Sequence, residues 1–113
     1  NVGASLAAIA AMSDPDYLHQ IVQLIVAERA RLGELLSEVP GVRVYPSQTN
    51  FLLFRLDASH WQMSAKQVKA ALEQRGILLR YFDKDGLRDC LRVSVGRPAD
   101  TDRFIAALRD VRQ

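Results

Sequence analysis

Apolar positions along this chain change period several times, and each change marks an element. Leu18, Ile21, Val22, Ile25, Leu32 and Leu36 recur at helical spacing, which predicts a long helix to about Ser37. Its start is written as Ser13-Asp14-Pro15: a capping serine, an early acid and a proline tolerated in the first turn. Leu24 and Val26 lie off the stripe, widen the apolar face and predict a second partner for this helix. The charged residues between Glu28 and Glu38 outside the stripe are expected in water. Upstream, Ala4 to Met12 is helical by propensity but apolar almost all round. Such a helix needs cover on more than one side, either as a central core helix or against protein beyond this chain.

Val39-Pro40-Gly41 ends the long helix, and Val42 to Tyr45 alternates as a short edge strand. Pro46 to Thr49 breaks it, and Asn50 begins a second strand, NFLLFRL, whose apolar run suits a strand covered on both faces or lying centrally. Asp57 to Met63 reads as a loop, with Trp61 folding back onto the core. Ser64 and Gln67 make a capping box for a helix running to Arg75, with Val68, Ala71 and Leu72 inward and Lys69 paired to Glu73. Gly76 is its expected closing glycine. Ile77-Leu78-Leu79 then reads as a short buried strand, and Leu91, Val93 and Val95 alternate with Cys90, Arg92 and Ser94 as another. Pro98 opens a last helix, about Ala99 to Val111, with Phe104, Ile105, Leu108 and Val111 as its buried stripe. This order predicts an α+β fold: a small, mainly antiparallel or mixed four-stranded sheet with helices packed on one face. Residues 1–37 form a helical N-terminal segment and 38–113 the α+β sandwich.

Length and composition narrow the classes. A chain of 113 residues has room for one domain and one modest core. Its net charge of +2, without a basic run or aromatic–basic interleaving, disfavours nucleic acid as a partner. No apolar run is long enough to span a membrane as a helix. The single cysteine, Cys90, excludes an internal disulfide and fits a reducing compartment. His19 and His60 have no partners at ligand spacing, so neither is read as a metal ligand. There is no Ser/His/Asp set, Cys/His pair or glycine-rich phosphate cradle.

The chemistry concentrates in Gly76 to Gly96. Arg80 sits at the exit of the first strand there, and Arg92 lies inside the second, on the face opposite Leu91 and Val93. A guanidinium in an apolar strand is costly to bury without an anion, and with one it can bind a carboxylate or phosphate bidentately. The commoner case is a rim arginine whose stem packs while its head stays in water, since buried charge is rare. The strand pattern leaves both readings open.

Three segments carry a family resemblance: PSQTNFLLFR, GILLRYF, and CLRVSVG followed by a proline and a helix. Together they resemble the C-terminal part of fold-type-I aminotransferases, and among these are most similar to the histidinol-phosphate aminotransferases, over nearly the whole chain. The resemblance implies that Arg92 holds the substrate's acidic group and Arg80 helps bind the phosphate of histidinol phosphate. It implies amino transfer between histidinol phosphate and 2-oxoglutarate (or glutamate) in histidine biosynthesis, with pyridoxal phosphate as cofactor, in a cytoplasmic homodimer. The family usually has a threonine where Arg97 stands. Arginine caps a helix poorly, so the last helix is expected to fray at its start.

That chemistry needs a desolvated lysine as Schiff base, and the chain has three lysines. Lys66 and Lys69 fall on a solvated helix face and Lys84 in a polar loop. The catalytic lysine and the cofactor's phosphate site are therefore expected in a large domain outside residues 1–113. This chain is read as the C-terminal small domain, inactive alone. Two alternatives stand beside this. One is another fold-type-I enzyme, such as an aromatic aminotransferase or a threonine-phosphate decarboxylase. The other is a stand-alone, non-catalytic ligand-binding module.

Overall fold

The computed structural model describes residues 14–112, so the Ala4–Met12 segment lies outside the described residues. In order, the elements are α1 (Pro15–Ser37), β1 (Val42–Val44), β2 (Phe51–Leu56), α2 (Ala65–Glu73), β3 (Arg80–Tyr81), β4 (Cys90–Ser94) and α3 (Pro98–Arg112). The four strands form one sheet in the order β1-β2-β4-β3, with every neighbouring pair antiparallel. This is the α+β class the pattern predicts.

Alternation along β2 and β4 assigns the two faces. Leu52, Phe54 and Leu56 of β2 and Leu91 and Val93 of β4 point to one side, where they meet Leu32 and Leu36 of α1, Val68 and Leu72 of α2, and Phe104 and Leu108 of α3. Phe54 and Phe104 pack with ring centroids 6.0 Å apart and tilted planes. Trp61 folds back into this core, as the sequence predicts, and its Nε1–H donates to the Gly41 carbonyl at 3.0 Å. β2 is central, as expected, but only its inner face is fully buried.

Helix boundaries follow local chemistry. Asp14 caps α1, accepting the Tyr17 N–H at 3.1 Å; the expected capping residue Ser13 lies outside the described residues. The Ser64–Gln67 capping box of α2 is reciprocal. Gly76, at φ 80°, closes that helix with N–H bonds from Gly76 to Glu73 O (2.9 Å) and from Ile77 to Leu72 O (3.0 Å). At α3, Arg97 offers no side-chain acceptor, but the Asp100 carboxylate reaches back to the Arg97 N–H at 3.0 Å, the reciprocal half of a capping box. That bond, with the Arg97 side chain beside it, holds the Asp100 pKa below its ordinary value.

Three expectations need correction. Ile77-Leu78-Leu79 is not a buried strand. Leu79 enters the core and Ile77 packs against it, whereas Leu78 is 80% exposed. The segment forms no strand pairing, and the ladder starts only at Arg80. The helical stripe of α1 is buried only in its second half, at Leu32 and Leu36, while Leu18 and Val22 are exposed; the off-stripe Leu24 and Val26 are exposed too, as their positions lead one to expect. Glu28, expected in water, is buried and accepts from Arg31 at 2.8 Å. Arg31 also bonds Asp102 of α3, and these two acids raise its pKa, Asp102 the more strongly.

Gly41 sets the turn from α1 into β1 at φ 77°, and a Cβ there would lie 2.5 Å from His60 Cβ and 2.8 Å from the Trp61 ring. Gly41→Ala is expected to destabilise the domain by about 2 kcal/mol or more, from a strained backbone and a displaced Trp61. Chemical denaturation of the variant, followed by tryptophan fluorescence, checks this; an unchanged midpoint would contradict it.

Candidate functional site

The described helices pack on one face of the sheet, and the other carries all four of its arginines, Arg43, Arg55, Arg80 and Arg92. Arg80 and Arg92 are direct partners across β3 and β4, so both side chains rise from the same face. Two like charges directly opposite each other weaken a sheet unless something compensates. No carboxylate does so among the described residues. Asp83 and Asp85 are engaged by Arg88, at 2.9 and 2.8 Å, and Asp89 is bonded by Arg55. Aromatic rings take the place of acids. The Arg92 guanidinium lies over Phe51 at 4.1 Å from its centroid, and over Phe82 at 5.8 Å; Arg80 lies over the same Phe82 ring at 5.5 Å. Such faces attract a cation without occupying its N–H edges.

Arg55, two rows away on the same face, shows what a structural arginine looks like here. Its Nε donates to the Tyr45 hydroxyl at 2.7 Å, one terminal nitrogen bonds Asp89, and the other donates to Gly86 O at 2.9 Å. These bonds, Tyr45 first and then Asp89, raise its pKa. They also tie β2 to the turn between β3 and β4. Cys90, its cross-strand partner, is fully buried, and that burial pushes its thiol pKa up. Arg92 is half-buried and has no comparable acceptor among the described residues; Arg80 is exposed. The structure thus brings together the two arginines that the sequence singles out and leaves their donors available. Of Phe51 and Phe82, the second is not singled out by the sequence; for the first, the family resemblance implies only that the Asn50-Phe51 entry lies near the active-site mouth, with no chemistry assigned to it. Each lies on the outward phase of its segment, but their meeting at Arg92 depends on the register of three strands.

Residues 2–108 match the aminotransferase class I and II family. The chain belongs to the class I and II aminotransferases. It is 46% identical over 111 residues to the histidinol-phosphate aminotransferase of Roseiflexus castenholzii, covering 98% of this chain and 30% of that protein. In structure it is similar to the histidinol-phosphate aminotransferase of Clostridium acetobutylicum, with a TM-score of 0.79 and 27% identity, over 96% of this chain and 32% of that one. The Sinorhizobium meliloti histidinol-phosphate aminotransferase, determined in complex with pyridoxal-5'-phosphate, gives a TM-score of 0.76 at 34% identity, over 92% of this chain and 28% of that one. The chain therefore spans about a third of the length of the relatives it matches.

Among the described residues, no lysine suits the Schiff base of pyridoxal phosphate. Lys66 is exposed on α2, Lys69 is held by Glu73 on the same helix, and Lys84 is exposed in the turn before β4. α2 packs on the face opposite the arginines. No cluster of three or more metal-ligating side chains occurs among the described residues. Nor is any described helix long and apolar enough to cross a membrane.

The contrast between the two arginines predicts opposite effects on stability. Arg55→Met leaves Asp89, the Tyr45 hydroxyl and Gly86 O without their donor and is expected to lower the melting temperature. Arg92→Met removes a like-charge neighbour of Arg80 and is expected to leave it unchanged or raise it. Thermal melts of both variants in low-phosphate buffer decide the matter; a large loss for Arg92→Met would make that residue a structural one.

Proposed function

We propose that this chain is the C-terminal small domain of a histidinol-phosphate aminotransferase, and that its part in the reaction is to receive the anionic groups of the substrates. The single observation that carries the reading is the Arg80–Arg92 cross-strand pair, two unneutralised guanidinium groups on one open face. Family membership and the relatives' names support amino transfer on histidinol phosphate; 2-oxoglutarate as the partner substrate, within histidine biosynthesis, completes the proposed reaction. Arg92 takes the acidic group that each half-reaction presents, and Arg80 takes the phosphate of histidinol phosphate. A planar fork suits both anions, because carboxylate and phosphate each offer two oxygens at matching separation. Pyridoxal phosphate, the electron sink of the family's chemistry, is held by a large domain outside this chain. The whole enzyme is read as a cytoplasmic homodimer.

Two experiments test this. In the full-length enzyme, Arg92→Lys keeps the charge and loses the fork, so kcat/KM is expected to fall about ten- to a hundredfold for both substrates. Arg80→Ala is expected to hurt histidinol phosphate more than an unphosphorylated amino donor; equal losses would remove Arg80 from the phosphate site. The second experiment concerns the 113-residue chain alone. Mixed with pyridoxal phosphate, it is expected to give no stoichiometric Schiff-base absorbance. A band abolished by substituting Lys66, Lys69 or Lys84 would overturn the assignment of the cofactor to another domain.

A further inference from the structure

We propose that Phe51 and Phe82 are positioning residues for this site: Phe51 fixes the plane of the Arg92 guanidinium, and Phe82 couples Arg92 to Arg80 so that the pair acts on one phosphorylated substrate. The inference rests on the reading of Arg80 and Arg92 given above and goes beyond it. Arg92 has a long side chain and no hydrogen-bond acceptor among the described residues to hold it. Left to itself, such a group samples several rotamers, and that freedom is lost when an anion binds. Phe51 limits it beforehand. Its ring centroid lies 4.1 Å from the Arg92 guanidinium carbon, close enough for the ring to restrict the group's orientation. The contact is diagonal: Phe51 pairs with Ser94, two residues beyond Arg92 on the same side of β4.

Phe82 does something different. Its ring is within 5.5 Å of Arg80 and 5.8 Å of Arg92, so one aromatic ring serves both cations. The negative faces of an aromatic ring offset part of the repulsion between two guanidinium groups without supplying a carboxylate that would compete with the ligand. The two rings should therefore divide the labour. Phe51 touches Arg92 alone and should act on every substrate that uses Arg92. Phe82 touches both arginines and should matter most where both are engaged, which is the phosphorylated amino donor.

The test uses the full-length enzyme loaded with pyridoxal phosphate. Phe51→Leu keeps apolar bulk and removes the ring; it is expected to raise KM for histidinol phosphate and for 2-oxoglutarate alike, by about two- to tenfold, with kcat little changed. Phe51→Tyr keeps the ring and should restore both values. Phe82→Leu should raise KM for histidinol phosphate more than for 2-oxoglutarate. Unchanged KM values for both leucine variants, or a loss at Phe51 that tyrosine does not restore, would overturn the inference. If Phe51→Leu does not fold, Phe51→Met replaces it, and Phe82→Leu tests the ring independently, outside the ladder. Arg92→Lys and Arg80→Ala run in parallel separate the two ideas. If the arginine variants lose affinity and the phenylalanine variants do not, the positioning role fails and the anion site stands. If neither arginine variant changes either substrate, the anion site itself fails.

Discussion

Strand β4 is held on both sides by antiparallel partners, β2 and β3, and its register fixes both the core and the candidate site. Leu91 and Val93 face the helices while Arg92 and Ser94 face away, because successive side chains alternate across a strand. A slip of one residue would turn Arg92 into the core and Leu91 into water. The burial of Leu91 among Phe54, Phe104 and Leu108 is what prevents it. The same pairing sets Arg92 opposite Arg80, brings Phe51 diagonally onto its guanidinium, and places Arg55 opposite Cys90. Hydrophobic packing on one face thus positions charge on the other.

That open face contains arginines in two conditions. Arg55 is saturated by a hydroxyl, a carboxylate and a carbonyl, and it braces the turn after β3. Arg80 and Arg92 face each other with aromatic rings for neighbours. A fold selected for stability alone has a simple remedy for such a pair, an acid at either flank. Asp83, Asp85 and Asp89 lie close by in sequence, yet Arg88 and Arg55 engage them. Two cations set opposite each other without an acid cost stability, which the rings of Phe51 and Phe82 offset only in part.

The helical layer divides in a similar way. The second half of α1 is locked in place by Leu32 and Leu36, by the buried Glu28 with its partner Arg31, and by the bond from Arg31 to Asp102 of α3. Its first half keeps Leu18, Val22, Leu24 and Val26 exposed. A single helix therefore joins a firmly packed half to an apolar, uncovered one. The off-stripe positions of Leu24 and Val26 announce this in the sequence.

Much of the fold is legible in the sequence because it rests on local rules. The span of α1, the Ser64–Gln67 box, Gly76 as closing glycine, Pro98 at the start of α3 and the alternation of β4 all follow from backbone chemistry within a few residues. Family motifs likewise point to Arg80 and Arg92. Ile77–Leu79 misleads because a short apolar run carries no information on whether a partner strand lies within reach. Glu28 misleads because its burial depends on Arg31 and on the approach of α3. Which residues Arg92 meets cannot be read from alternation, which gives only the face a side chain takes. Three strands meeting in one register decide that: they send the nearby aspartates to other arginines and put Phe51 and Phe82 against this one. Local patterning settles which residues face outward. Which of those residues meet is settled only in the folded chain, because contacts between distant segments depend on how the buried faces pack.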